Sequence, residues 1–124
     1  MVHFPTVNLV ADSTPIQPLT QLSSLLGVDL WIKRDDLAGT TLGGNKARQL
    51  EYYLGAAVAE EADTILITGA VQSNFVRIAA ASAASLGMQT VIQLEDRVDR
   101  DDLIYRQSGN VLLNGIFGSR MIYY

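Results

Sequence analysis

The chain has 124 residues, 48% of them hydrophobic and 18% charged, and a formal net charge of −4. This is enough for one domain with a real core and too little for two. The acidic balance excludes nucleic-acid backbone binding as the main activity, no apolar run reaches the roughly eighteen residues of a membrane span, and the lack of cysteine with a single histidine, His3, excludes disulfides and zinc.

The opening "MVHFPTVN" has neither a basic n-region nor an apolar h-region, so no secretory leader is expected and the expected location is the cytoplasm. Residues 1–20 hold all three prolines, Pro5, Pro15 and Pro18, and read as an extended, irregular leading segment. "LWIKRDD", Leu30 to Asp36, is a short strand candidate, followed by the turn-rich "LAGTTLGG". From Asn45 onward Ala47, Leu50, Leu54, Ala57 and Val58 recur at helical spacing, which predicts a helix of roughly four turns with Lys46 in its first turn.

"TILIT", Thr64 to Thr68, is a buried strand candidate, and "GAVQSN" links it to the alanine-rich helix "FVRIAAASAASL". Gly87 is a natural stop for that helix, and "TVIQLE", Thr90 to Glu95, is the next strand. Strand, helix and strand of this length predict a parallel βαβ unit and an α/β fold class. "DRVDRDD" reads as a solvated loop, and "NVLLNGIF" as part of a further helix.

Two loops carry the chemistry. In "GTTLGGNKARQL", Gly39 and Gly44 have the spacing of a phosphate-binding loop, but Asn45 delays the lysine by one place and Ala47 offers no hydroxyl for magnesium. A nucleotide loop is therefore not expected. Lys46 is either an ordinary solvated residue after a plain turn or a presented, reactive amine. An ordinary cation at a helix N-terminus sits on the unfavourable end of the macrodipole, whereas a lysine working as a free amine is suited to it. In the second loop, Gln72, Ser73 and Asn74 lie between a strand end and a helix start, where ligands bind in open α/β sheets and free N–H groups favour anions. Helix capping alone also accounts for Ser73 and Asn74.

The stretches "LWIKRDDLAGTTLGGNKARQLEYYL" and "ADTILITGAVQSNFVRIAAASAASLGM" together resemble the N-terminal part of one group of pyridoxal-phosphate enzymes. The group contains D-cysteine desulfhydrase, L-cysteate sulfo-lyase and 1-aminocyclopropane-1-carboxylate deaminase, with the tryptophan-synthase-β-like architecture called fold type II. The resemblance implies pyridoxal 5'-phosphate as cofactor, held by Lys46 with Asn45 and Asn74 beside it. It implies a small amino-acid substrate met by Gln72, Ser73 and Asn74, with Lys46 and Ser73 catalytic. The implied reaction is a β-elimination giving pyruvate, ammonia and sulfide, with sulfite release or cyclopropane ring opening as close variants.

The resemblance further implies a division into residues 1–62, the leading segment and lysine-bearing helix of a larger cofactor-binding lobe, and 63–118, part of a smaller α/β lobe. Residues 119–124, "SRMIYY", read as a tail unlike the family. Family members run to well over twice this length and are usually homo-oligomers. An inactive truncated piece is therefore the alternative to an active enzyme. Phe75 stands where the family pattern has histidine, and Glu61 where the turn before the strand has glycine, a change that is harmless if Glu61 avoids positive φ.

Overall fold

The leading segment is more ordered than its three prolines predict. In the computed structural model, which describes residues 3–10, 13–39 and 43–124, it contains strand β1 (Ile16–Pro18) and ends where helix α1 (Thr20–Leu26) begins. Strand β1 pairs antiparallel with β2 (Trp31–Lys33), with Pro18 opposite Trp31. Proline is tolerated there because a strand in a two-stranded ribbon has a free edge that needs no N–H donor. Both strands are exposed along their whole length. Strand β2 also ends earlier than Asp36: the chain turns into a short 3-10 helix at Asp35–Leu37, closed by bonds from Leu37 N–H to Arg34 O and from Ala38 N–H to Asp35 O.

Helix α2 runs Ala47–Ala59, β3 Thr64–Ala70, α3 Asn74–Ser85 and β4 Gln89–Glu95. Strands β3 and β4 are parallel in the register Thr64↔Gln89 to Ala70↔Glu95, which is the expected βαβ unit. The second half of the chain adds helices α4 (Leu103–Gln107) and α5 (Gly109–Ile116), then a third parallel strand, β5 (Arg120–Tyr123). The last residues, read from sequence as a tail, thus join the sheet, in the order β3-β4-β5. The strand fits its residues: Ile122 and Tyr123 have high strand propensity, and Tyr124 N–H continues the pairing to Leu94 O at 2.9 Å.

Helix α3 is the centre of the molecule. Val76 through Ser82, and Ala83, are all buried, so the middle of α3 is covered on every side, with Arg77 and Ser82 its buried polar residues. Its alanines let two layers approach closely. On one side Ile78, Ala79 and Ala83 pack with Leu9, Leu50, Leu54 and Met88. On the other, Val76 and Ala80 pack with Val71, Ile92, Leu94 and Val111. The opposite face of the sheet is left open: Leu66 is 81% exposed and Ile122 47%.

The helices that precede β3, β4 and β5 end in the same way. After α2, Ala62 N–H bonds to Ala57 O and Glu61 N–H to Val58 O; after α3, Met88 bonds to Ala83 and Gly87 to Ala84; after α5, Ser119 bonds to Asn114 and Gly118 to Gly115. Each is a Schellman motif, which needs a left-handed residue just past the helix. Gly87 (φ 77) and Gly118 (φ 78) supply it without strain, but the first copy uses Glu61 at φ 55. Glu61 therefore does not avoid positive φ, as its tolerance in place of glycine required.

Candidate active site

The lysine loop lies against one face of α3. Asn74, Arg77 and Ile78 have the i, i+3, i+4 spacing that puts three side chains on one stripe. Asn74 Nδ2 donates to Asn45 Oδ1 at 3.2 Å, and both terminal nitrogens of the buried Arg77 donate to Gly43 O at 3.3 and 3.4 Å. Ile78 closes on Gly44, where an added Cβ would lie 2.8 Å from its Cδ1. The other side of the loop rests on the 3-10 turn: Gly44 N–H donates to Asp35 O at 3.1 Å, and a Cβ on Gly43 would fall 1.7 Å from Asp36 O. Asp35 is itself held by Thr14 Oγ1 at 2.8 Å and Arg48 at 3.1 Å. Thr40, Thr41 and Leu42 of the glycine loop lie outside the described residues.

Lys46 immediately precedes α2 rather than standing in its first turn. Its backbone (φ −108, ψ −11) makes it the N-cap, and its carbonyl accepts the first helical bond, from Leu50 N–H at 3.0 Å. The turn formed by Asn45 and Lys46 delays the helix by two residues relative to the periodicity. The side chain of Lys46 is half-buried and lines a cleft of about 420 Å³.

Ser73 reaches the same cleft from the other loop. It caps α3, its Oγ accepting from Val76 N–H at 3.4 Å, so the capping reading holds, through a long bond. Gly69 makes the approach of Ser73 possible, because a Cβ there would meet Val76 Cγ2 at 2.7 Å and Ser73 Oγ at 3.2 Å. Gln72 also borders the cleft, but its amide is engaged within the fold. Nε2 donates to Tyr105 O and Ser108 O, and Oε1 accepts from Asn110 N–H at 2.9 Å. Both donor hydrogens are used, so Gln72 shapes the wall more than it offers hydrogen bonds to a ligand.

Arg97, Tyr105 and Arg77 lie beyond the residues singled out by sequence. Arg97 comes from the loop read as purely solvated, and with Tyr105 it lines the cleft. Arg97 pairs with Glu95 Oε2 at 2.6 Å, and the Thr68 hydroxyl bonds the other oxygen of that carboxylate. The Thr68 bond first, and Arg97 second, hold the Glu95 carboxyl below the usual range. Phe75 supplies apolar wall and no hydrogen bond. The third contributor, Arg77, is signalled only by its place as a lone cation in an alanine-rich helix; burial lowers its pKa from the ordinary guanidinium value.

A family model described as pyridoxal-phosphate dependent enzyme matches residues 7–124. The chain belongs to that family. It is 42% identical over 121 residues to the D-cysteine desulfhydrase of Serratia proteamaculans (strain 568), covering 98% of this chain and 37% of the relative. It is 43% identical over 117 residues to the D-cysteine desulfhydrase of Yersinia pestis (strain Pestoides F), covering 94% and 36%. Among solved structures, the crystal structure of an ACC deaminase homologue superposes with a TM-score of 0.86 at 40% identity, over 98% of this chain and 35% of that one. The chain thus has the α/β fold of this group, with its parallel sheet, and spans a little over a third of the length of these relatives. The family is defined by its use of pyridoxal phosphate. No helix among the described residues is long and apolar enough to cross a membrane.

Proposed function

We propose that this chain carries the cofactor-anchoring and substrate-facing elements of a pyridoxal-phosphate-dependent lyase or deaminase of a small amino acid. The observation that carries this reading is the meeting of Lys46 and Ser73 at one cleft, with Asn45 and Asn74 bonded to each other between their loops. The cleft suits a flat, polar cofactor. Gly69 leaves its floor without a side chain, Phe75 gives an apolar wall, and Lys46 is half-buried at its edge.

Lys46 would anchor the cofactor, with Asn45 and Asn74 flanking it. When bound, pyridoxal phosphate supplies an electron sink for the bonds at the substrate α-carbon. The Lys46 amine then serves as the general base for the α-proton. Ser73 and the N-terminus of α3 present hydroxyl and N–H donors that suit a substrate carboxylate. A D-cysteine-type substrate would lose its β-sulfur as sulfide and, with water, leave as pyruvate and ammonia. Cysteate would release sulfite instead. Opening of a cyclopropane amino acid would ask more of the Ser73 hydroxyl, as a nucleophile. Residues 1–62 belong in this reading to a larger lobe and 63–118 to a smaller one, in a homo-oligomeric whole.

The test is cofactor capture: pyridoxal phosphate is added to the purified chain, reduced with borohydride, and located by peptide mass spectrometry. One label per chain at Lys46 is expected, and none there in Lys46→Ala. Label shared evenly between Lys33 and Lys46, or no label, overturns the assignment.

A second reading is an inactive piece of such an enzyme, which the open apolar surface favours: Leu66 and Trp31 are 81% and 62% exposed. It predicts no turnover of D-cysteine, cysteate or the cyclopropane amino acid, together with strong binding of a hydrophobic dye. A monomer that turns over any of the three without binding dye overturns it.

A further inference from the structure

We propose that Arg77 is a positioning residue that sets the place of Lys46 relative to Ser73; this rests on the reading of Lys46 as the anchoring lysine. Arg77 is only 7% exposed, an unusual environment for a guanidinium in an alanine-rich helix. Its bonds lead to both sides of the cleft. Toward the lysine loop, both terminal nitrogens donate to Gly43 O. Away from it, Nε donates to Asn110 Oδ1 at 3.2 Å. Asn110 in turn donates through Nδ2 to Gln72 O at 2.8 Å and through its own N–H to Gln72 Oε1 at 2.9 Å. Gln72 directly precedes Ser73. Arg77, through Asn110, therefore ties the backbone three residues before Lys46 to the backbone one residue before Ser73.

The neighbours of Arg77 on its face of α3 reinforce the tie. Asn74 bonds Asn45, and Ile78 packs at Gly44. Asn74 is exposed and makes one neutral bond, while Arg77 is buried and charged and joins two segments, so its bonds are less exchanged with water. Its rigid planar fork also fixes direction as well as distance. A lysine one ångström out of place is a poor partner for a serine across a cleft, which makes such bracing functional and not only stabilising.

The test uses the whole 124-residue chain with Arg77→Gln, Arg77→Lys and, as control, Ile92→Val, which trims the fully buried Ile92 in the core of the sheet. Two readouts are taken. Amide hydrogen exchange follows Gly44, whose N–H is bonded to Asp35 O. Borohydride capture of pyridoxal phosphate gives the ratio of label at Lys46 to label at Lys33. In Arg77→Gln, Gly44 exchange is expected to rise roughly tenfold and the Lys46 preference to fall roughly tenfold, the weight of one charge-assisted hydrogen bond. Arg77→Lys, which keeps the charge and most of the volume, is expected to lie between, and Ile92→Val to change neither. Arg77→Lys alone decides the matter if Arg77→Gln does not fold: unchanged Gly44 exchange there overturns the proposal. Equal changes in Ile92→Val and the Arg77 variants also overturn it, since the effect is then global stability. The parent chain separates the two readings. Absence of Lys46 preference in it sinks the anchoring assignment, while Gly44 exchange still decides the role of Arg77 without any cofactor.

Discussion

Glu61→Gly is expected to stabilise the chain, against the usual rule that a new glycine loosens a fold. The three Schellman endings provide the internal comparison, since two of them use Gly87 and Gly118 and the first uses Glu61 at φ 55. A left-handed residue with a Cβ costs about 1–2 kcal/mol. Glycine returns about 0.4–1 kcal/mol of that through the larger entropy of the unfolded chain, which leaves a gain of about 0.5–1 kcal/mol. Removing an acidic group from the negative end of α2 adds about 0.3 kcal/mol. With an unfolding entropy of about 0.26 kcal/mol/K for a chain this long, a total near 1 kcal/mol raises Tm by about 4 °C. Thermal unfolding by circular dichroism measures it, with Glu61→Ala as control. Alanine removes the charge but keeps the left-handed cost, so it gains only about the 0.3 kcal/mol dipole contribution. If alanine stabilises as much as glycine, the backbone argument is wrong and the charge is the whole effect. If glycine lowers Tm, both arguments are wrong.

Gly43→Ala would place a Cβ 1.7 Å from Asp36 O at φ 62, so it is expected to cost more than about 2 kcal/mol and to free the Gly44 amide to exchange. Near-normal urea stability with a protected Gly44 would refute that. Gln72→Leu keeps the bulk but leaves Tyr105 O, Ser108 O and Asn110 N–H without their side-chain partner; a loss of about 2–3 kcal/mol in urea unfolding is expected, and a neutral result would mean water replaces the amide. The Glu95 and Asp102 carboxyls have lowered folded-state pKa values, Glu95 through the Thr68 hydrogen bond and then Arg97, Asp102 through the Arg100 hydrogen bond and then Tyr105 N–H. Their contribution is therefore complete above the unfolded values of about 4.3 and 3.9 and is lost as pH falls through the folded ones. Glu95→Gln is expected to lower stability above pH of about 5 and so flatten the acid limb, the variant and parent curves converging as pH falls through the folded value, and a parallel downward shift across all pH would point to packing instead.

What could be read before folding followed the reach of each signal. Local pattern was sufficient to place α2, α3, β3 and β4, with Leu50, Leu54, Ile78 and Ile92 marking buried faces, but Thr64 to Thr68 of β3, expected to be buried, are exposed or half-buried because one face of the sheet is open. The two loops with Lys46 and Ser73 were legible for a related reason: glycines and short polar residues at strand and helix ends are local features with few structural uses. Strand β1 was missed because Pro15 and Pro18 argue against a strand until its partner is known, and the ribbon with β2 is a pairing between separate segments. β5 was missed because "RMIY" is short and its parallel neighbour lies a helical crossover away. Gln72 was assigned by its neighbours in the loop, yet its side chain serves a backbone 33–38 residues later. Arg77 shows the same limit from the other direction. A cation among alanines is conspicuous, but only the docking of the glycine loop 34 residues earlier gives it Gly43 O to hold. The candidate site therefore divides into candidate residues that local features flag and a frame that exists only once α3 has both layers packed against it. The Gly44 exchange measurement bears on that frame directly, because it follows a bond between two segments that α3 itself does not supply.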